Sequence, residues 1–423
     1  MSCLRISIVG AGYVGLVTGV CFAELGHEVV CIDVVEEKIK AISEGKSLIY
    51  ERGLDTLLQK HLDDRLFFAT TNFQSLTNTD LTLVCVGTPR MENGFLDTTH
   101  LESAAMSIGQ MLAVKDEYHV VVVRSTVLPT TTENIVIPAL ERSSGKRAGK
   151  DFGVAVNPEF LKEGNAIEDF MHPDRIVIGA IDHRSLSILK TLYSEFKCPI
   201  VETSLRTAEM IKLASNAFLA TKISFINEIG NICKTLEIDV REVAKGMGYD
   251  RRIGSEFLRA GCGFGGSCFP KDTMALASLA RSQQIEPIIL DAVIEVNEKQ
   301  PLKMIELLER HMDIRGKTIA VLGLSFKPGT DDIREASSIK IVKALIEKGA
   351  NIKCHDPKAI ENFRKEFPSL VYCRSANECV EGSDAVLIVT EWEEYRDPML
   401  YGNKLVIDGR GVVRTGNYDG ICW

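Results

Sequence analysis

Apolar residues recur along the chain as short unbroken runs separated by longer stretches of helical period, in a repeating βα order. Runs at 6–9, 28–33, 81–86 and 120–123 read as buried strands, and the pattern extends through 153–156 and 175–179. Strands alternating with helices form a parallel sheet covered on both faces. A first doubly wound domain is therefore expected over 1–200. Residues 207–234 hold few helix breakers and have apolar side chains on nearly every face, which predicts one long buried helix, either a linker between domains or a dimer seam. It opens a helical middle region, 201–300, interrupted by a loop with four glycines at 261–266 before helix resumes around Asp272.

From Lys317 the strand and helix rhythm restarts. Ile6-Ser7-Ile8-Val9-Gly10 is answered by Ile319-Ala320-Val321-Leu322-Gly323, the segment 27–33 by 350–356, and 80–86 by 384–389. This weak internal repeat predicts a second doubly wound domain over 301–423.

The 423 residues exceed what one hydrophobic core serves, in agreement with several domains. Hydrophobic residues at 45% and charged residues at 25% exclude a disordered or collagenous chain. No apolar run approaches the roughly 20 residues that span a bilayer, and the amino terminus enters a strand without a signal-peptide pattern. Neither a membrane nor a secretory route is expected. A net charge of -9 with no basic block opposes nucleic-acid binding, so an anionic substrate needs locally placed Lys and Arg. The twelve cysteines are scattered, without CxxC or metal-ligand spacing, and only Cys262 and Cys268 fall close together. Thiols inside apolar patterns act as small hydrophobes and fit a reducing compartment, so the cytoplasm is expected and no metal.

Gly10-Ala11-Gly12-Tyr13-Val14-Gly15 follows the first strand and opens a helix, the context in which G-x-G-x-x-G predicts a dinucleotide turn. Its glycines allow a tight turn, close approach of a pyrophosphate and helix-on-strand packing, and the helix start supplies N–H groups to phosphate. Asp33, closing the second strand, is placed to accept from ribose hydroxyls and repels a 2′-phosphate, which favours NAD over NADP. Lys38 either reaches the cofactor or is a solvated helix lysine. Both doubly wound domains are thus expected to be Rossmann-like, joined by the long central helix and the helical middle region.

The second chemical signal is Gly261-Cys262-Gly263-Phe264-Gly265-Gly266-Ser267-Cys268-Phe269-Pro270-Lys271-Asp272. A thiolate is the reactive form of cysteine, and a nearby cation such as a lysine three residues on lowers a thiol's pKa. Taken alone, these residues leave Cys268 either nucleophilic or structural. Lys212 and Asn216, four residues apart on the long helix, share a face from which both could reach one reacting oxygen.

The cysteine segment resembles the catalytic-cysteine motif of the UDP-glucose and GDP-mannose dehydrogenases, and the likeness covers almost the whole chain. It continues through Arg124-Ser125-Thr126-Val127-Leu128-Pro129, Asn157-Pro158-Glu159-Phe160-Leu161-Lys162-Glu163-Gly164, Pro173-Asp174-Arg175 and the segment 324–335. The resemblance implies a four-electron oxidation, in which two hydrides pass to two NAD molecules while Cys268 carries a thiohemiacetal and then a thioester. It implies Glu159 as the base for hydrolysis, with Glu163 and Thr126 near the nicotinamide and the reacting water. Lys212 and Asn216 would serve as oxyanion donors and Asp272 as a supporting catalytic residue. Thr88, Lys271 and Arg334 join the cofactor residues by the same resemblance. Phe160, Leu161, Phe257, Gly265, Phe269, Phe326, Lys327 and Arg410 join Glu159, Lys212 and Asn216 at the substrate, with Lys327 on its diphosphate. Arg252 matches an arginine that reaches substrate from a neighbouring subunit, so a homodimer or larger assembly is implied.

Asp408-Gly409-Arg410 and Pro173-Asp174-Arg175 resemble motifs of UDP-glucose dehydrogenases, a likeness that implies UDP-glucose as the favoured substrate. The carboxy-terminal Gly420-Ile421-Cys422-Trp423 is similar to GDP-mannose dehydrogenases, which makes GDP-mannose the runner-up. The chain departs from the family where prolines often flank the glutamate of segment 47–54, and at Gly411, where a polar or basic residue often stands. Two other classes remain on the residues alone. A two-electron hydroxyacid dehydrogenase leaves Cys268 without purpose, and a non-catalytic NAD-binding sensor predicts binding without turnover.

Overall fold

The computed structural model describes residues 3–414 and 416–423. The chain divides into two compact units, Met1–Ala214 and Ser215–Trp423. The first holds β1 (Arg5–Val9), β2 (Glu28–Ile32), β3 (Phe67–Thr70), β4 (Leu81–Val84), β5 (Val120–Val123), β6 (Gly153–Val156), β7 (Ile176–Ala180) and β8 (Ile200–Thr203). They lie in the order β3-β2-β1-β4-β5-β6-β7-β8, so strand order reverses between β1 and β4. Successive residues of a strand face opposite sides of the sheet. Accordingly Val120 and Val122 enter one hydrophobic core while Val121 and Val123 enter the other.

The expected parallel sheet has one exception: β7 runs antiparallel to β6. A parallel return needs a crossover that lays a helix across the sheet. Much of the connection between β6 and β7 is instead an irregular loop, followed by a helix of only 6 residues, Ala166–Met171.

The second unit holds β9 (Thr318–Leu322), β10 (Asn351–His355), β11 (Val371–Tyr372), β12 (Ala385–Ile388), β13 (Leu405–Asp408) and β14 (Tyr418–Gly420). Their order, β11-β10-β9-β12-β13-β14, repeats that of the first six strands of the other sheet, and all pairs are parallel. The repeat extends to single hydrogen bonds. Asp80 Oδ2 accepts from the Arg5 N–H at 2.8 Å, and Asp384 Oδ2 accepts from the Thr318 N–H at 2.8 Å. The Gly10 N–H donates to the Ile32 carbonyl at 2.8 Å, and the Gly323 N–H to that of His355 at 2.9 Å. Two doubly wound α/β units are therefore present, as the strand patterning predicts. The helix Leu205–Thr235, 31 residues long, carries the chain from one to the other.

The first sheet also buries polar groups. His119 is fully buried. Its Nδ1 lies 3.1 Å from the Thr79 carbonyl, which can only accept, so Nδ1 carries the proton and Nε2 accepts from Thr82 Oγ1 at 2.7 Å. Thr82 in turn shares a 2.7 Å hydrogen bond with Ser7.

Candidate active site

In the first unit the sequence-predicted residues gather at the carboxyl ends of the strands, where doubly wound sheets bind ligands. The turn after β1 is built for close approach. Gly10 has φ 103° and a Cβ there would lie 2.9 Å from the Cys85 carbonyl. A Cβ on Gly15 would lie 1.9 Å from the Gly10 oxygen, whereas Gly12 faces open space. Gly12 is the N-cap of the helix Tyr13–Glu24 and has no side chain to cap its first-turn amides, and Val14 lies in that first turn. Those N–H groups and the positive helix end suit a pyrophosphate. Asp33, just past β2, accepts from the Ala11 N–H at 2.8 Å and the Val35 N–H at 3.0 Å. Lys38 stands 3.5 Å from Asp33 Oδ2. Thr88, beyond β4, donates to the carbonyl of Thr126, beyond β5, at 2.7 Å. The residues present fit a dinucleotide.

The loop after β6 carries Glu159. Its carboxylate is 3.0 Å from Lys212 Nζ and accepts from the Leu161 N–H at 2.6 Å, while Lys212 also donates to the Glu159 carbonyl at 2.6 Å. Both side chains are buried. Burial pushes the Glu159 pKa up, but the Lys212 charge, these hydrogen bonds and the Arg124 charge together hold it below the usual carboxylate range. Two cations lie over the Phe160 ring, the Arg175 guanidinium 3.8 Å and Lys212 Nζ 5.3 Å from its centre. Glu163 is half-buried farther along the same loop.

Two buried residues here are absent from the sequence-predicted set. Arg124 donates to Asn157 Oδ1 at 2.6 Å and to Thr18 Oγ1 at 3.2 Å. Asn157 donates to the Val177 carbonyl at 2.8 Å, which anchors the start of the loop. Both lie inside the quoted motifs, and an arginine embedded among apolar strand residues is the signal that could have singled one out.

In the second unit the glycine-rich loop ends at Cys268, which is the N-cap of the helix Phe269–Ser282, with Pro270 in the first turn where its missing N–H costs nothing. A thiolate at this position is favoured by the positive helix end. Lys271, which the spacing offers as the activating cation, lies 2.7 Å from Asp272 Oδ1. Asp272 is fully buried and also accepts from Asn216 Nδ2 at 2.7 Å. Lys271 thus pairs with a buried carboxylate, while Cys268 stands at the N-terminus of the helix.

The loop packs closely against the segment after β9. A Cβ on Gly266 would lie 2.8 Å from the Phe326 ring, and one on Gly265 2.3 Å from the Glu335 carbonyl oxygen. Phe257 and Phe264 each place a ring 6.0 Å from that of Phe269. Lys327 Nζ sits 5.5 Å above Phe326, and Arg334 pairs with Asp332 at 2.6 Å. Arg410, beyond β13, donates to the Val389 carbonyl at 2.7 Å and lies 3.5 Å from Glu391. Arg252 is largely exposed and pairs with Asp250 at 2.7 Å.

Comparison with known proteins accounts for both units. Residues 4–197 match the NAD binding domain of the UDP-glucose/GDP-mannose dehydrogenase family, 206–299 its central domain and 320–415 its UDP binding domain. A UDP-glucose 6-dehydrogenase of Haloferax volcanii is 44% identical over 421 residues, covering 97% of each chain. A GDP-mannose 6-dehydrogenase of Pseudomonas putida is 40% identical over 441 residues, covering 99% of this chain and 100% of that one. Among solved structures, a UDP-glucose dehydrogenase from Pyrobaculum islandicum superposes with a TM-score of 0.95 at 41% identity, covering 100% of this chain and 98% of that one. A dinucleotide turn in one doubly wound unit and a helix-capping cysteine in the other are accounted for by one membership: the chain belongs to the UDP-glucose/GDP-mannose dehydrogenase family.

Proposed function

We propose that the protein oxidises C6 of UDP-glucose from alcohol to carboxylate, giving UDP-glucuronate, with Cys268 as the covalent catalyst. The carrying observation is the Cys268 thiol at the N-cap of a 14-residue helix, beside the buried Asp272 that holds Asn216 and Lys271. NAD supplies the hydride acceptor, once for each oxidation. After the alcohol has become an aldehyde, Cys268 Sγ adds to its carbon and the oxygen takes a proton, giving a thiohemiacetal. Loss of hydride and proton turns this into a thioester, which water cleaves to release carboxylate and thiol.

Glu159, held ionised, accepts the proton of the attacking water. Lys212 and Asn216 stabilise charge on the reacting oxygen, Thr126 and Glu163 line the nicotinamide end, and Lys327 and Arg410 serve the nucleotide. The three functional segments are read as 1–200, 201–300 and 301–423. No helix among the described residues is long and apolar enough to cross a membrane, and the many buried thiols suit the reducing cytoplasm.

A homodimer is part of the reading. Phe218, Phe225 and Ile232, seven residues apart along the long helix, are 65%, 47% and 50% exposed, an apolar stripe with heptad spacing. Arg252, exposed in one chain, would then serve a neighbouring subunit's substrate.

Counting NADH formed per UDP-glucose consumed tests the mechanism. Two are expected, and Cys268→Ser should lose steady turnover by at least about a hundredfold. Accumulation of free aldehyde, or undiminished turnover in Cys268→Ser, overturns it. GDP-mannose remains the second reading because a relative of that name is 40% identical over 99% of the chain. Assaying both sugar nucleotides side by side decides between them.

A further inference from the structure

Glu51 is a buried carboxylate whose hydrogen-bond partners among the described residues are all neutral. The Tyr13 hydroxyl donates to Oε2. The Gly164 N–H reaches the same oxygen at 2.7 Å, and the Ala166 N–H reaches Oε1 at 3.0 Å. Burial and the adjacent carboxylate push the Tyr13 phenol far up its scale, so it stays protonated and is the donor. Its oxygen also accepts from the Gly164 N–H at 2.9 Å.

The three segments tied together have separate tasks. Tyr13 is the first residue of the helix whose N-terminus faces the pyrophosphate position. Gly164, at φ 80°, follows Glu163 and ends the loop that begins at Asn157 and carries Glu159. Glu51 itself precedes the helix Leu54–Asp63. A helix cap alone would need only the Ala166 amide. Here the same carboxylate also holds the side chain of the dinucleotide turn.

We propose that Glu51 is a positioning residue for the cofactor: through Tyr13 and the Gly164 and Ala166 amides, it holds the loop bearing Glu163 in register with the turn that binds NAD. The catalytic consequence rests on the dehydrogenase reading above, but the effect on NAD binding does not.

The test uses the full chain as Glu51→Gln, Tyr13→Phe and the double variant. Each is titrated with NAD in the absence of sugar nucleotide and then assayed for kcat and both KM values. Glutamine keeps the shape but turns a donor toward an N–H, and one buried amide left unsatisfied is expected to weaken NAD about tenfold. KM for NAD should rise with it, while KM for the sugar nucleotide stays within about twofold. Tyr13→Phe should act in the same direction, and the double variant should be no worse than Glu51→Gln alone, because the two groups act as one device. Unchanged NAD affinity in a natively folded Glu51→Gln protein, or additive losses in the double variant, overturns the proposal. If Glu51→Gln does not fold, Tyr13→Phe decides alone: weakened NAD binding supports the clamp and wild-type binding overturns it. Weakened NAD binding in a protein whose wild type oxidises no sugar nucleotide would remove the substrate reading and leave the clamp standing.

Discussion

Glu159 keeps its charge where burial alone would remove it, because Lys212 and a backbone amide compensate it at hydrogen-bond distance. His119 shows the opposite solution. With no carboxylate hydrogen-bonded to it, burial pushes its pKa down to about 3 from 6.5 and it stays neutral. The unfolded chain takes up a proton there below pH 6.5 and the folded chain does not. This contribution to stability is therefore complete above pH 6.5 and is lost as pH falls toward 3. Between pH 7 and pH 5 the His119 contribution should cost about 2 kcal/mol. Urea unfolding at the two pH values should show a smaller difference for His119→Gln than for wild type, and an equal difference would sink the assignment. Legibility in the sequence follows the range of the interactions. The glycines of 10–15 and the residues around Cys268 announce themselves within a dozen positions. Glu51, by contrast, meets Gly164 across 113 residues and Arg124 meets Thr18 across 106, so the partners each one meets have no local signature.

At the level of elements, the glycine-rich loop illustrates how little room the chemistry leaves. Gly266 has φ 84° and its missing Cβ is what admits the Phe326 ring, whereas Gly254, at φ 70°, has nothing within 4 Å. Gly266→Ala should therefore destabilise the protein by about 1–3 kcal/mol and lower kcat, because it adds overpacking to the backbone cost. Gly254→Ala incurs only the backbone part. Thermal unfolding of the pair checks this, and equal shifts would contradict the packing argument. The central strands are legible because they are unbroken apolar runs buried on both faces. The edge strands β3, β8, β11 and β14 are short, and three of them expose residues alternately or throughout. The direction of β7 is not legible either, since it depends on how the preceding connection is used and not on the strand itself.

For the whole molecule, the heptad-spaced stripe carries the assembly prediction. The double variant Phe218→Asp, Phe225→Asp places two charges where a seam between copies would bury them. Light scattering should find wild type at twice the chain mass or more and the variant at the chain mass, with helical circular dichroism retained. A monomeric wild type would reject the dimer.

The internal repeat is readable from the strand and helix rhythm and its matched segments, yet the two copies have parted in what they leave undone. Asp33 accepts two hydrogen bonds from its own chain. Asp356, at the same station in the second sheet, accepts six, from Leu324, Ser325 backbone and hydroxyl, Trp392, Lys358 and Ala359. Folding has consumed the second carboxylate entirely, while the first retains acceptor capacity for a guest. As the carboxylate expected to meet the cofactor's ribose, Asp33 is in this sense a deliberate incompleteness. The first unit forgoes some of the self-sufficiency its twin enjoys, and that reserve is what recognition draws on.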